Sequence, residues 1–195
     1  MIFNDVIVGT TSSDLVPINE LELAARLGCG IDFESEIIKQ NIQNFKDNVT
    51  YRYAYVRIPF KYEKGLCYFE NQQVSSSALS TVLKDVKEVI LLSVTAGIEI
   101  DKIILKTSIQ NPSSTFYIDA IASAGIESYI EYISDIICEG LNVTKRFSPG
   151  YADFSLEFQS YLLNRLATKE NIGIMLSKDY LMIPTKSITA VIGIK

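Results

Sequence analysis

Glu88-Val89-Ile90-Leu91-Leu92-Ser93-Val94-Thr95-Ala96-Gly97-Ile98-Glu99 is the stretch on which the fold turns. Val-Ile-Leu-Leu at its centre predicts a buried strand over Glu88 to Thr95. Gly97 ends that strand, and a helix is expected from there to about Ile109, broken by Asn111-Pro112-Ser113. A long helix then spans roughly Ser114 to Glu139. On it Ile118, Ile121, Ala122, Gly125, Ile126, Tyr129, Ile133 and Ile136 recur at helical spacing. The small residues Ala120, Ala122, Ser123, Ala124 and Gly125 permit close approach of a neighbouring strand or a ligand. Further on, Ser155 is placed to cap a short helix reaching Leu166, and turns and strands alternate from Ile174. Ser187 to Ile194 is the strongest strand of that region.

Upstream, Pro17 to Gly28 reads as a helix with acids in its first turn and a glycine stop. Phe33 to about Asn48 is a second helix, with Ile37, Ile38, Ile42 and Phe45 on one face. Tyr51 to Phe60 is aromatic and β-branched, which marks a strand, and Gly65 to Glu70 is expected to pair with it as a hairpin. Ser75-Ser76-Ser77 begins a helix leading to Leu83. These elements predict an α+β chain, a single domain over 1–195, with a twisted sheet, mixed or mostly antiparallel, flanked by helices.

Composition narrows the chemistry. With 195 residues and 48% hydrophobic content the chain is long enough to bury a core. Apolar runs are short, the longest being broken by Ser93, Thr95 and Glu99, so no membrane span is expected. Asp5 interrupts the N-terminus and no basic segment precedes an apolar one, so a cytoplasmic protein without a signal peptide is expected. Net charge is −5 without a basic stripe, which argues against nucleic acid as partner. Cys29, Cys67 and Cys138 are far apart and lack a Cys-x-x-Cys pair, so reduced thiols are expected rather than disulfides or a zinc site. The chain has no histidine. That excludes Ser-His-Asp and Cys-His nucleophile systems and histidine zinc sites, and no metal site is expected.

Two segments near the end carry the functional reading. The first is Arg146-Phe147-Ser148-Pro149-Gly150-Tyr151-Ala152-Asp153-Phe154, an Arg-x-x-x-Gly-Tyr turn. Pro149 fixes its own φ and Gly150 accepts φ > 0, so backbone N–H groups, a guanidinium and a phenol are drawn together. That combination suits a small zwitterion bearing a carboxylate and a flat ring. The second runs from Met182-Ile183-Pro184-Thr185-Lys186-Ser187 into Ile188-Thr189.

Taken in order, Val94-Thr95-Ala96-Gly97-Ile98-Glu99, the Arg146 to Tyr151 turn and the Met-x-Pro-x-x-Ser-(aliphatic)-Thr segment resemble motifs of a known family. That family is the S-adenosylmethionine-binding activation domain of cobalamin-dependent methionine synthase. The resemblance is strongest over 88–195; before that it is confined to a helix–Leu-Gly pattern around Leu23 to Gly28. It implies a stand-alone reactivation module for methionine biosynthesis, an accessory to methyltransferase activity. The implied cofactors are S-adenosylmethionine and a cobalamin carried by a partner. The implied partners are a methionine synthase lacking its own activation domain and an electron donor such as a flavodoxin-like protein.

The resemblance also assigns residues. Arg146 is expected to pair with the carboxylate of S-adenosylmethionine, while Phe147, Ser148 and Gly150 act mainly through backbone groups. Tyr151 is the catalytic candidate, where cofactor meets corrin. Glu127 is expected to contact the adenosyl ligand, with Glu131, one turn later, as the competing choice. Lys186 either lines the site or faces solvent. Two departures stand out: no counterpart of the family's N-terminal acidic ligand residue is found among Tyr51 to Glu70, and the family's segment beyond the Pro-x-x-Ser strand is missing. The alternatives are therefore a reactivator of another corrinoid methyltransferase, or an interaction module that has lost cofactor binding. An independent methyltransferase finds little support, since no Gly-rich loop follows the first strands.

Overall fold

The computed structural model describes residues 5–28 and 35–195. Its central strand is the opening stretch: β5 (Glu88–Thr95) is buried along nearly its whole length. Alternate side chains enter two different cores. Ile90, Leu92 and Val94 join one cluster, and Val89 and Leu91 join the other. A strand covered on both faces has no solvated side, hence its unbroken apolar centre.

β5 pairs antiparallel with β2 (Tyr51–Glu63) on one side and with β8 (Ser187–Ile194) on the other. The long β2 carries two partners along its far edge. Its first residues pair with β1 (Ile7–Thr11), and its last with β3 (Leu66–Phe69), which in turn pairs with β4 (Gln72–Val74). The hairpin expected over Gly65 to Glu70 is thus present. β6 (Met175–Leu176) and β7 (Met182–Ile183) form a separate small ladder. Every pairing among the described residues is antiparallel, which resolves the expectation of a mixed or mostly antiparallel sheet. β1 was not foreseen: it is a largely exposed edge strand, without the alternation that marks a half-buried one.

One face of the sheet is covered by α1 (Glu20–Leu27), α2 (Glu36–Asn48), α4 (Ile98–Gln110) and α5 (Pro112–Ile137). The other is covered by α3 (Ser77–Val82), α6 (Phe158–Arg165) and the segments around α7 (Thr168–Asn171). Local capping sets these boundaries. Asn19 Oδ1 accepts from Glu22 N at 3.1 Å, so α1 begins at Glu20 rather than at Pro17. Asn111 ends α4 and caps α5, its Oδ1 accepting from Ser114 N at 3.2 Å, with Pro112 at the first helical position. Ser76 caps α3 through Leu79 N at 3.0 Å. The start placed at Phe33 lies outside the described residues; within them α2 begins at Glu36, capped by Ser35.

Two residues of the expected helix faces are corrected. Ile37 is 59% exposed while Ile38 is buried, because adjacent residues on a helix diverge by about 100° and one stripe cannot hold both. Ile136 is 52% exposed; from Ile133 the apolar stripe of α5 continues instead to Ile137, four residues on, which packs against the core.

Among the small residues of α5, Gly125 admits aromatic neighbours. A Cβ on Gly125 would stand 2.6 Å from the Phe45 ring and 3.0 Å from the Tyr51 hydroxyl. That hydroxyl donates to Gly125 O at 3.0 Å, and the Tyr51 ring stacks on Tyr129 at 4.2 Å between centroids. Burial, with Tyr129 beside it, raises the Tyr51 phenol pKa above its ordinary value. Gly125→Val is therefore expected to destabilise the fold by about 1–3 kcal/mol through overpacking. The readout is a lower urea midpoint at unchanged slope; an unchanged midpoint would mean that Phe45 and Tyr51 have room to move.

Candidate functional site

The site is built where a loop leaves a strand edge. After α5 the chain runs along the outer edge of β8: Thr144 N donates to Gly193 O at 2.9 Å, and Phe147 exchanges hydrogen bonds with Val191 at 2.9 and 2.8 Å. The covering ends there, because Ser148-Pro149-Gly150 turns away. Gly150 adopts φ 91° and donates to Phe154 O at 2.8 Å. In an antiparallel strand the outward-facing peptide groups recur at every second residue, so those of Thr189 follow Val191 and are left beyond the covered stretch.

A cleft of about 430 Å³ opens at that point, within the range of about 300–1,000 Å³ usual for small-molecule sites. Its lining draws on every segment singled out near the C-terminus. Arg146, Phe147, Ser148, Pro149 and Tyr151 come from the turn, and Met182, Ser187, Ile188 and Thr189 from the Met-x-Pro-x-x-Ser segment. Glu127 of α5 and Gln159 of α6 complete it.

Strand alternation sorts the dipeptide at its centre. Arg146 projects toward α5, where its Nη2 donates to Glu127 Oε2 at 2.8 Å. The two side chains are 35% and 34% exposed, so the pair is worth only about 0–1 kcal/mol and leaves most guanidinium donors available. Phe147 projects the other way, onto Phe154 and Tyr151. Glu131, the competitor of Glu127, lies instead in a neighbouring hollow with Asp135 and Lys145.

The backbone roles expected in the turn are narrowed. Phe147 N–H and C=O are engaged with Val191, and Gly150 N–H with Phe154, so neither N–H is available to a ligand, and Gly150 stands behind the lining. Phe147 contributes to the lining with its side chain. Tyr151 is 65% exposed at the cleft.

Lys186 is corrected on both counts: it neither faces solvent nor lines the cleft. Its ammonium lies 2.8 Å from Asp119 Oδ1 and donates to Ser123 Oγ at 2.8 Å, with the side chain 14% exposed. The small residue at 123 thus receives a lysine. The Val94 to Glu99 junction supports the site from behind. Ser187 Oγ bonds Thr95 Oγ1 at 2.9 Å and Pro184 O at 2.8 Å. Asp101, early in α4, accepts from Thr185 N and Oγ1, both at 2.8 Å. The Ile183–Pro184 bond within this segment is cis.

Two carboxylates hold the far side. Asp153, directly after the turn, accepts from Ser76 Oγ at 2.6 Å, Ser77 N and Oγ at 2.7 Å, and Ala78 N at 3.2 Å. The Ser76 hydroxyl first, then the Ser77 groups, hold its pKa well below the ordinary carboxylate range. Glu70 anchors α6, accepting from Tyr161 OH and from Arg165 Nε, each at 2.9 Å. Neither Glu63 nor Glu70 lines the cleft, so among the described residues Glu127 is its carboxylate.

Gln159 was missed from the sequence. It sits at the apolar-face position of α6, three and four residues before Leu162 and Leu163, and that is the signal a closer reading of the helix pattern offers. It is 6% exposed and its Oε1 is buried without a partner. Among the described residues no group of three or more His, Cys, Asp or Glu could hold a metal, and no helix is long and apolar enough to cross a membrane. Cys67 and Cys138 are unpaired, and burial pushes the Cys67 thiol up to about 11. Cys29 lies outside the described residues.

A helix-flanked antiparallel sheet with a cleft at the edge of its last strand places the chain in the α+β class. The particular fold is that of the MetH reactivation domain. A crystal structure of that domain bound to AdoHcy matches with a TM-score of 0.71, covering 97% of this chain and 78% of that one, at 13% identity. The sequence matches no protein-family model and no curated protein.

The Asp153 anchor yields a prediction with a defined sign. A carboxylate with its pKa depressed by folding contributes stability above its unfolded pKa, about 3.9, and loses it as pH falls toward the folded value. Asp153→Asn should lower Tm at pH 7, and the gap to the unaltered protein should narrow below about pH 4. A gap independent of pH would show that the hydrogen bonds hold without the charge.

Proposed function

We propose that the cleft binds S-adenosylmethionine and that the chain is a reactivation module for a corrinoid held by a partner, cobalamin-dependent methionine synthase being the expected client. The observation that carries this reading is convergence. The Arg146 to Tyr151 turn, Met182, Ser187 to Thr189 and Glu127, far apart in sequence, line one cleft in a chain with this fold.

The chemistry of the lining fits the ligand. Arg146 offers a planar fork to the amino-acid carboxylate, and Glu127 beside it suits the ammonium or the sulfonium. Phe147, Met182 and Ile188 supply apolar and aromatic surface for a flat ring. Tyr151 stands exposed at the cleft, and Leu181 and Ile183, flanking Met182, are 61% and 39% exposed. That apolar rim suits docking on a corrin face carried by another protein. Bound there, S-adenosylmethionine would give up its sulfonium methyl group and leave as the thioether S-adenosylhomocysteine, the acceptor being a partner's cobalt first reduced by one electron from an external donor such as a flavodoxin-like protein. This chain orients the methyl, excludes water and places the Tyr151 phenol at the junction. The cobalt ligand belongs to the partner, so a chain without histidine suffices.

Binding tests the first step. Calorimetry should detect S-adenosylmethionine or S-adenosylhomocysteine without metal, and Arg146→Ala should weaken it by about 1.5–3 kcal/mol, the loss of a hydrogen bond to a charged group. Glu127→Gln should also weaken it, whereas Glu131→Gln should leave it nearly unchanged. No heat and no thermal shift at millimolar ligand would instead favour an interaction module without cofactor.

Turnover tests the second. Mixed with a methionine synthase lacking its activation domain, S-adenosylmethionine and a low-potential reductant, the protein should drive cob(II)alamin to methylcobalamin, followed by absorbance. Tyr151→Phe should slow that conversion more than it weakens ligand binding. Unchanged cob(II)alamin would refute reactivation of that client, and the same assay on another corrinoid protein would distinguish a wrong client from a wrong function.

A further inference from the structure

Lys186 is held at both ends without lining the cleft. Its carbonyl accepts from Ala96 N at 2.9 Å, which fixes its backbone to the end of β5. Its ammonium lies 2.8 Å from Asp119 Oδ1 and donates to Ser123 Oγ at 2.8 Å. The side chain is 14% exposed, so the cation is largely withdrawn from water and depends on these partners. Asp119, Ser123 and Glu127 succeed one another at i, i+4 spacing along one side of α5. The clamp therefore closes on the turn directly before the one that carries Glu127 into the cleft.

The other polar anchors of α5 lie elsewhere. Tyr51 OH donates to Gly125 O at 3.0 Å and the Tyr129 hydroxyl meets Thr11 Oγ1 at 3.2 Å, both on the helix face opposite Glu127. Ser128 Oγ accepts from Asn19 N at 2.9 Å, ahead of α1. Toward the cleft, two side-chain links tie α5 to its neighbours among the described residues: the Lys186 clamp and the Arg146–Glu127 pair. The second is a third exposed and is the bond that a zwitterionic ligand replaces. Once it opens, the Lys186 clamp still holds α5 against the segment leading into Ser187, Ile188 and Thr189, which line the cleft from β8.

Resting on the reading of the cleft as an S-adenosylmethionine site, we propose that Lys186 is a positioning residue for Glu127. By gripping Asp119 and Ser123 from the β8 side, it keeps the Glu127 carboxylate in place while the ligand takes over from Arg146 as its partner. Lys186 touches no ligand itself; its effect on binding passes through Glu127 and vanishes without it.

The experiment is a double-mutant cycle read by calorimetry with S-adenosylhomocysteine. Lys186→Met should weaken binding about tenfold, and Asp119→Ala, at a half-exposed position outside the cleft, should weaken it in the same direction. With Glu127→Gln already in place, Lys186→Met should cost no more than about twofold, because the group it positions is gone. Melting temperatures are read in parallel: any fall on losing the clamp should be the same with glutamate or glutamine at position 127, which separates loss of stability from loss of position. If Lys186→Met does not fold, Asp119→Ala carries the same cycle. A variant that melts lower yet binds as tightly as the unaltered protein would make the clamp merely structural and overturn the inference. So would a tenfold loss that persists in full beside Glu127→Gln. Either result leaves the proposed function standing. If the unaltered protein does not bind the ligand, that function itself fails, and this inference with it.

Discussion

The pair of hydrogen bonds exchanged between Phe147 and Val191 is the constraint from which the site follows. It commits the chain after α5 to run as a partial strand along β8 as far as Phe147. The Pro149-Gly150 bend then carries the chain off the edge. An open strand edge attracts pairing and is ordinarily covered; here it is covered up to Val191, and the cleft lies against Ser187 to Thr189 beyond that limit. The same register sends Arg146 to the α5 side and Phe147 to the α6 side. A shift of one residue would exchange them, placing a guanidinium over an apolar cluster.

The elements that position this turn are tied down independently of any ligand. Asp153 anchors its far end to the N-terminus of α3, Glu70 holds α6 beneath it, and Asp101 and Thr95 fix the segment entering β8. The support therefore comes from both helical layers and from the sheet. The motif Val94 to Glu99 belongs to this frame: it touches the Pro184 to Ser187 segment and contributes nothing to the lining itself. Its resemblance to the family motif is explained by architecture.

Where local physics decides an element, the sequence shows it plainly. The buried strand Glu88 to Thr95, the break at Asn111-Pro112, the Ser75 to Ser77 helix start and the strand from Ser187 all occur within a residue or two of expectation. The misses share another cause, which is that the deciding contact is remote. β1 is defined by pairing with residues of β2 that lie 40 to 48 positions away, and nothing in Ile7 to Thr11 records that. Lys186 reads as a strand lysine until α5 brings Asp119 to it, and Ile37 and Ile38 are equal in the sequence until the packing of α2 on its neighbouring helices selects one. That Arg146, Tyr151 and Glu127 meet at one cleft was legible through motif resemblance. Gln159 was not, because a polar residue on an apolar helix face carries meaning only once its surroundings are known to lack a partner for it.

The Arg146–Glu127 pair sets the kind of ligand the charged end can take. About a third of each side chain is exposed, so water competes with the pair and opening it costs little. A ligand bearing only a carboxylate would occupy Arg146 and place its charge close to that of Glu127, which would then lose its partner. A ligand bearing only a cation would do the reverse to Arg146. A zwitterion satisfies both at once and leaves the net charge of the site unchanged, replacing one monodentate contact with a carboxylate on the guanidinium and an ammonium on Glu127. In the proposed function, the pairing in the free protein would serve as a filter for the amino-acid group, through the repulsion it would impose on ligands of a single charge.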